Sequence, residues 1–417
     1  MGITGGNPMR GLPALLLAAL AGCASTGVPA ASRADLAGAP HAAMLTTFDT
    51  TWYVSARARR AGHSVRALGD SLEYGFVVTR FREPAGITPG TRYLEPLDAK
   101  RVDSARLSAP EFLARLHAAD SAAAGRGEGA VVYVHGFAVS FGRAVAQGAE
   151  IAHRGSFRGP MIVFAWPAHT ALATWPTPHA ILTRAYRQDS ASATASTDPF
   201  RVALEQILGA VRPHALTVVG HSLGAQLVTE SLVEPSDLRE TLAANPLGAL
   251  VLFAPDIAAA RFRDTLAVAL EPVANRRVVY ASGRDWILGI SQIVNHGPRV
   301  GRASAARALA AEDVEVVDAT NGLRADGRLR KVFEPRHAMR WSSSALYDFF
   351  AVVRGLPAAC RSLDGVAALG SDGTWALTNA PIPNRIPPAA GTCADSGDAA
   401  TADGGAAPPV RAARSRR

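Results

Sequence analysis

Between Ala130 and Thr320, short apolar runs alternate with helical patterns. The runs are "AVVYV", "MIVFA", "LTVVGH", "ALVLFAP", "RRVVYAS" and "VEVVDAT"; between them lie "SFGRAVAQGAEIAHRG", "FRVALEQILGAVRP", "AQLVTESLVE", "ARFRDTLAVAL" and "DWILGISQIV". Apolar strands without a polar alternate face are buried on both sides, and helices between them supply the cover. The fold class is therefore α/β, a mostly parallel, doubly wound sheet with helices on both faces. A chain of 417 residues, 48% hydrophobic and 19% charged, has room for one such domain and for extensions around it.

In sheets of this kind ligands bind beyond the carboxyl ends of the strands. Ser222 sits there, between the run "LTVVGH" and the helical "AQLVTESLVE", inside Gly220-His221-Ser222-Leu223-Gly224. A tight strand-to-helix turn lifts such a serine to the top of the sheet. Side chains at Gly220 and Gly224 would collide with the neighbouring strand and helix. A serine hydroxyl attacks only when a histidine takes its proton and an acid orients that histidine. Two histidines follow Ser222. His337, in "FEPRHAMRW", comes after the last strand, whereas His296, in "VNHGPR", comes before it on a surface loop. His337 is the better base. Asp285, after "RRVVYAS", is the favoured acid; Asp256, after "ALVLFAP", is the alternative, with helix capping as its structural role. The amide of Leu223 and one from the turn "HGF", at Phe137, are the expected oxyanion donors. His135 in that turn orients the loop.

The segments "VYVHGFAVSFGRAVAQGAEIAHRGSFRGPMIVFAWP", "AYRQDSASA", "VVGHSLGAQLV", "VLFAPDI", "YASGRDWIL" and "GPRVG" together resemble a bacterial α/β-hydrolase family of unknown function, from about residue 130 to 350. The resemblance implies an α/β-hydrolase fold and a triad of Ser222, Asp285 and His337, and it implies no substrate. Leucine follows the serine where methionine is frequent in that family, and the histidine lies in "RHAM". Tyr186 and Asp189 also fit the family pattern, either lining a pocket or pinning a loop. They fall in residues 170–199, which read as irregular and then Ala/Ser/Thr-rich, a length suited to a lid or binding loop. Trp166 and Trp175 read as packing residues.

The start "MRGLPALLLAALAGC" carries an arginine, an apolar run too short to span a bilayer, and Cys23. Its end, Leu20-Ala21-Gly22-Cys23, resembles the lipobox of bacterial lipoproteins. That resemblance implies a signal peptide over residues 1–22, acylation at Cys23, a tether over 23–45 and attachment to the outer membrane facing the periplasm, as Ala24 suits. The hydrolase domain then spans 46–356, a loop-like C-terminal extension 357–393, and a disordered tail 394–417. Cys360 and Cys393 form an even pair, suited to one disulfide in an oxidising compartment, with two free thiols as the alternative.

The net charge of +8 comes almost wholly from scattered arginines, without interleaved aromatics, so nucleic acid is not an expected partner. No metal-binding or nucleotide-binding motif is present, and no cofactor is implied. The chemistry expected is hydrolysis of small-molecule or lipid carboxylic esters. A non-catalytic scaffold of the same fold and an acyltransferase or amidase are the alternatives.

Overall fold

The computed structural model describes residues 43–60, 63–93, 97–168, 179–322 and 342–387. Among these residues, eleven strands form one central sheet in the order β10-β11-β9-β8-β7-β6-β4-β5-β1-β2-β3. Six of these are the apolar runs of the sequence: β4 (Ala130–Val134), β5 (Met161–Ala165), β6 (Leu216–His221), β7 (Ala249–Phe253), β8 (Arg277–Ala281) and β9 (Glu315–Asp318). All six are parallel to their neighbours, and β4 to β8 are buried along their whole length. Two large apolar clusters line the sheet's opposite faces. One includes Val132, Val218 and Leu250; the other, shifted by one residue along each strand, includes Val131, Val219 and Val251. The period of two along doubly buried strands produces this division.

At one edge, β1 (Met44–Arg60) runs parallel to β5, pairing Thr51 with Met161, and the antiparallel strands β2 (His63–Pro84) and β3 (Asp98–Leu107) follow it. The first half of β1, "MLTTFDT", is mostly exposed and rich in threonine, and burial on both faces begins only at Thr51. Helix α1 (Ala109–Ala124) packs beneath this edge through Phe112 and Leu116. Helix α2 (Phe141–Arg154) follows β4 and is capped by the Ser140 hydroxyl, which accepts from Arg143 N–H.

Two expectations need correction. The segment read as irregular contains a helix, α3 (His179–Ala195), followed directly by α4 (Thr197–Leu208). Among the residues of α3 whose burial is described, Ala185, Asp189 and Ala193 are buried. They recur every four residues, but they are too small and polar to register as an apolar stripe. The C-terminal segment is also not merely loop. Ala367–Leu369 forms β10 and Trp375–Leu377 forms β11, which extends the sheet parallel to β9. Runs of three residues give no readable alternation. Gly370 and Gly373 lie in the turn between them.

Cys360 is buried and disulfide-bonded. Cys393 and Cys23 lie outside the described residues. Among the described residues, no helix is long and apolar enough to cross a membrane.

Candidate active site

Helix α5 (Leu223–Val233) springs directly from the end of β6, with Ser222 at the junction. Ser222 has φ 56° and ψ −119°, a conformation that costs a non-glycine residue about 1–3 kcal/mol. Its surroundings impose that conformation. Ser222 N–H donates to Phe253 O at 3.0 Å, Ser222 O accepts from Ala225 N–H at 3.0 Å, and Asp256 N–H donates to the same carbonyl at 3.2 Å. The two glycines answer to contacts, as the motif requires. A β-carbon on Gly220 would stand 2.5 Å from Ala225 Cα, and one on Gly224 would stand 2.4 Å from His135 O. The first amides of α5 have no acceptor within the helix, and the helix dipole adds positive potential at that end. Leu223 N–H is one of them.

The turn after β4 lies against this serine. A β-carbon on Gly136 would meet Ser222 Cβ at 3.0 Å, so only glycine lets the two segments approach this closely. The rest of the turn is fixed by buried groups. Trp166 Nε1 donates to His135 O at 2.7 Å, and its ring stacks on the imidazole with centroids 5.1 Å apart. His135 Nδ1 lies 3.0 Å from Gly136 O. Burial, with the nearby charge of Arg57 as a second cause, pushes the His135 pKa down to about 3. The ring is thus neutral, and the proton needed for that hydrogen bond is on Nδ1. Arg57 donates to Val139 O at 2.7 Å. Ala138, at φ 57°, donates its N–H to Asp189 Oδ2 at 2.9 Å. The Phe137 amide, the oxyanion donor expected from the sequence, lies between the two groups held in this way, Gly136 O and Ala138 N–H.

The two candidate acids lie in different settings. Asp285 follows β8, is fully buried, and caps helix α6 (Trp286–Val294) by accepting from Leu288 N–H at 3.0 Å; it has at least one partner beyond that cap. Asp256 follows β7 and accepts from Ser291 Oγ at 2.6 Å and Tyr186 Oη at 2.9 Å, with Arg299 Nε 3.1 Å away. Asn295 Nδ2 donates to Tyr186 Oη at 3.0 Å. Burial, reinforced by the Asp256 carboxylate, pushes the Tyr186 hydroxyl up to about 12, so it remains a donor. Asp256 does not cap the helical turn after it, which starts at Ala259. Its carboxylate is the centre of a polar network that binds α3, α6 and the "GPR" loop together. No sequence pattern flagged Ser291, and Arg299 entered only as part of the resembling segment "GPRVG", with no role attached, because the network joins segments remote along the chain.

His337 and Trp175 lie outside the described residues. His296 is exposed, in a left-handed turn at φ 54°. Trp166 is fully buried, in the packing role expected of it. Tyr186 and Asp189 project from one face of α3, one helical turn apart, and both hold other segments in place. Among the described residues, no group of His, Cys, Asp or Glu could hold a metal ion.

The family described as an alpha/beta hydrolase of unknown function, DUF900, matches residues 119–332. No curated protein matches the chain. Several solved structures are similar. Brefeldin A esterase, described as a bacterial homologue of human hormone-sensitive lipase, is 13% identical, covering 82% of this chain and 71% of its own, with a TM-score of 0.25. A lipase/esterase from Lactobacillus plantarum is 12% identical, with 66% and 89% covered and a TM-score of 0.27. Carboxyl esterase 2 from the fungus Tuber melanosporum is 11% identical, with 70% and 81% covered and a TM-score of 0.26. Likenesses this distant carry nothing about the activity of this chain.

Proposed function

The chain belongs to DUF900, a family of α/β-hydrolases of unknown function, and from that premise we propose that it is a serine hydrolase acting on carboxylic esters through Ser222. The observation that carries the reading is the backbone of Ser222. A non-glycine residue at φ 56° and ψ −119°, outside the left-handed helical region, buried at the junction of β6 and α5 with the Gly136 turn packed on its β-carbon, holds the strained position that a nucleophile elbow requires.

In the proposed cycle Ser222 Oγ adds to the ester carbonyl as His337 takes its proton, with Asp285 orienting the imidazole. The carbonyl oxygen becomes an oxyanion between Leu223 N–H and Phe137 N–H. Collapse breaks the ester C–O bond, and the alcohol leaves with the proton from His337. Water then attacks the acyl-enzyme with His337 again as base, releasing the acid and restoring the serine. Asp256 is not assigned the acid's role, because Tyr186, Ser291 and Arg299 occupy its carboxylate. The proposal extends to location. Acylation at Cys23 would anchor the protein in the cell envelope, at the outer membrane facing the periplasm, which favours lipid or acyl-glycerol esters as substrates.

The test is labelling of the protein with a fluorophosphonate, the modified residue being located by mass spectrometry, beside turnover of p-nitrophenyl esters of short and long acyl chains. Labelling at Ser222 and ester turnover, both abolished by Ser222→Ala, are expected. A folded protein that neither labels nor turns over esters, with or without detergent or lipid, would favour a non-catalytic scaffold. Labelling without ester turnover would favour an amidase or acyltransferase.

A further inference from the structure

We infer that Asp189 is a positioning residue for the oxyanion donor at Phe137, an inference that rests on the reading of Ser222 as a nucleophile. The amide of Phe137 belongs to the same peptide plane as the Gly136 carbonyl, and the next plane contains the Phe137 carbonyl and the Ala138 amide. Each plane has one buried anchor. His135 Nδ1–H holds Gly136 O at 3.0 Å on one side, and Asp189 Oδ2 accepts Ala138 N–H at 2.9 Å on the other. Phe137 N–H is aimed by the two together.

The second anchor is needed because the turn does not hold itself. Ala138 has φ 57°, where an alanine without a tertiary partner does not stay. A carboxylate accepting a buried amide offsets strain of that size. Asp189 is fully buried, so its carboxylate is not a solvated group that happens to lie nearby. One helical turn earlier, Tyr186 stacks its ring at a tilt on Phe137, with centroids 5.9 Å apart, and anchors α3 to Asp256 through its hydroxyl. The face of α3 carrying Tyr186 and Asp189 therefore grips both sides of the site: the oxyanion turn and the strand end that supports Ser222. Loss of the Asp189 carboxylate frees the Ala138 amide and lets the neighbouring plane rotate, which moves Phe137 N–H off the developing oxyanion while the acyl and alcohol contacts stay in place.

The test compares Asp189→Ala and Asp189→Asn with the unaltered chain, using a p-nitrophenyl ester and active-site titration so that kcat is counted per reactive serine. Removal of one oxyanion donor costs about 10²- to 10³-fold in kcat. A misaimed donor should cost Asp189→Ala about 10- to 100-fold, with KM moving less than about threefold. Inhibition by an aryl trifluoromethyl ketone, which forms an oxyanion on the same donors, should weaken by the same factor as kcat/KM. Asp189→Asn keeps an oxygen for the Ala138 amide and should recover most of the loss. If both variants merely lower the number of titratable serines or the melting temperature, with kcat per serine and ketone affinity unchanged, Asp189 is only structural and the inference is overturned. If the unaltered chain shows no Ser222-dependent turnover, it is the hydrolase reading that fails, a different result from active enzyme indifferent to Asp189.

Discussion

The carbonyl of Ser222 accepts the amide of Asp256 at 3.2 Å, so the strand end after β7 supports the backbone of the candidate nucleophile. The Asp256 side chain points into a different task. Its carboxylate faces the Arg299 guanidinium, also buried, and takes hydroxyl donors from α3 and α6. Its backbone serves the serine and its side chain fastens the surrounding helices.

This division separates the two candidate acids by experiment. Asp256→Ala leaves Arg299 buried opposite no carboxylate and should destabilise the protein by about 3–5 kcal/mol. Its kcat per folded molecule should stay within about tenfold of the parent, since no triad role is lost. Asp285→Asn should lower kcat by about 10⁴-fold, the size seen when a triad acid is neutralised. Thermal melts beside ester kinetics on the two variants read both effects. A larger loss of kcat in Asp256→Ala than in Asp285→Asn would reverse the assignment.

Gly224→Ala is the sharpest test of the elbow's packing. Its β-carbon would lie 2.4 Å from His135 O and 2.5 Å from Val134 O, both backbone atoms that cannot swing aside. Overpacking of this kind costs about 1–3 kcal/mol, so the variant should unfold at lower denaturant with an unchanged m-value. The strain falls between α5 and the turn that carries Phe137, so fluorophosphonate labelling should slow by more than stability alone explains. A variant as stable and as reactive as the parent would mean that the two segments are not in contact in solution.

His135 supplies a pH-dependent signature. Burial, and secondarily Arg57, hold its folded pKa at about 3, below the ordinary histidine value of 6.5. The unfolded chain therefore binds a proton that the folded chain refuses. Stability from this group is complete above pH 6.5 and is lost as pH falls from there towards 3, at up to about 1.4 kcal/mol per pH unit. His135→Gln should flatten that part of the acid-unfolding profile, measured by urea titration at intervals between those limits. The same property bears on kinetics. An acid limb of kcat/KM in the ordinary histidine range would belong to His337, and its persistence in His135→Gln would show that the turn histidine is not the base.

Strand identity was legible wherever burial on both faces leaves an unbroken apolar run, as in β4 to β8, and the elbow was legible because glycines at 220 and 224 answer to local clashes. Elements whose stability comes from their neighbours were not. Strand β1 is mostly exposed until Thr51 and is held by pairing with β5 and β2; α3 buries alanine and aspartate, which give no hydrophobic period. Residues acting across long separations, such as Asp189 on Ala138 or Arg299 on Asp256, leave no trace in spacing. The contact exists only once the fold has formed.

The C-terminal segment is joined to the core by charge as well as by strand pairing. Arg361 is almost wholly buried, 3.2 Å from Asp348 and 2.5 Å from Glu315, and it lies 5.5 Å over the Trp375 ring. Arg276 grips Glu315 with two hydrogen bonds of 2.8 Å, and Tyr280 donates to Asp348 at 2.6 Å. Burial pushes the Glu315 carboxyl up, but the hydrogen bond from Arg276 and the charges of Arg361 and Arg276 outweigh it, so its folded pKa lies below the ordinary glutamate value. For Asp348 burial prevails and the pKa is raised. The two carboxyls therefore act in opposite directions. Glu315 contributes stability that is present above about pH 4.5 and is lost as pH falls through its folded value, whereas Asp348 disfavours folding as pH rises through its own. Glu315→Gln isolates the first effect. It should destabilise the protein by about 1–3 kcal/mol at pH 7, and the gap from the parent should close as pH falls below about 4. Urea unfolding of both proteins at the two pH values measures it. A gap that stays constant would mean that Glu315 acts through packing alone and that its charge does not hold the C-terminal strands to the sheet.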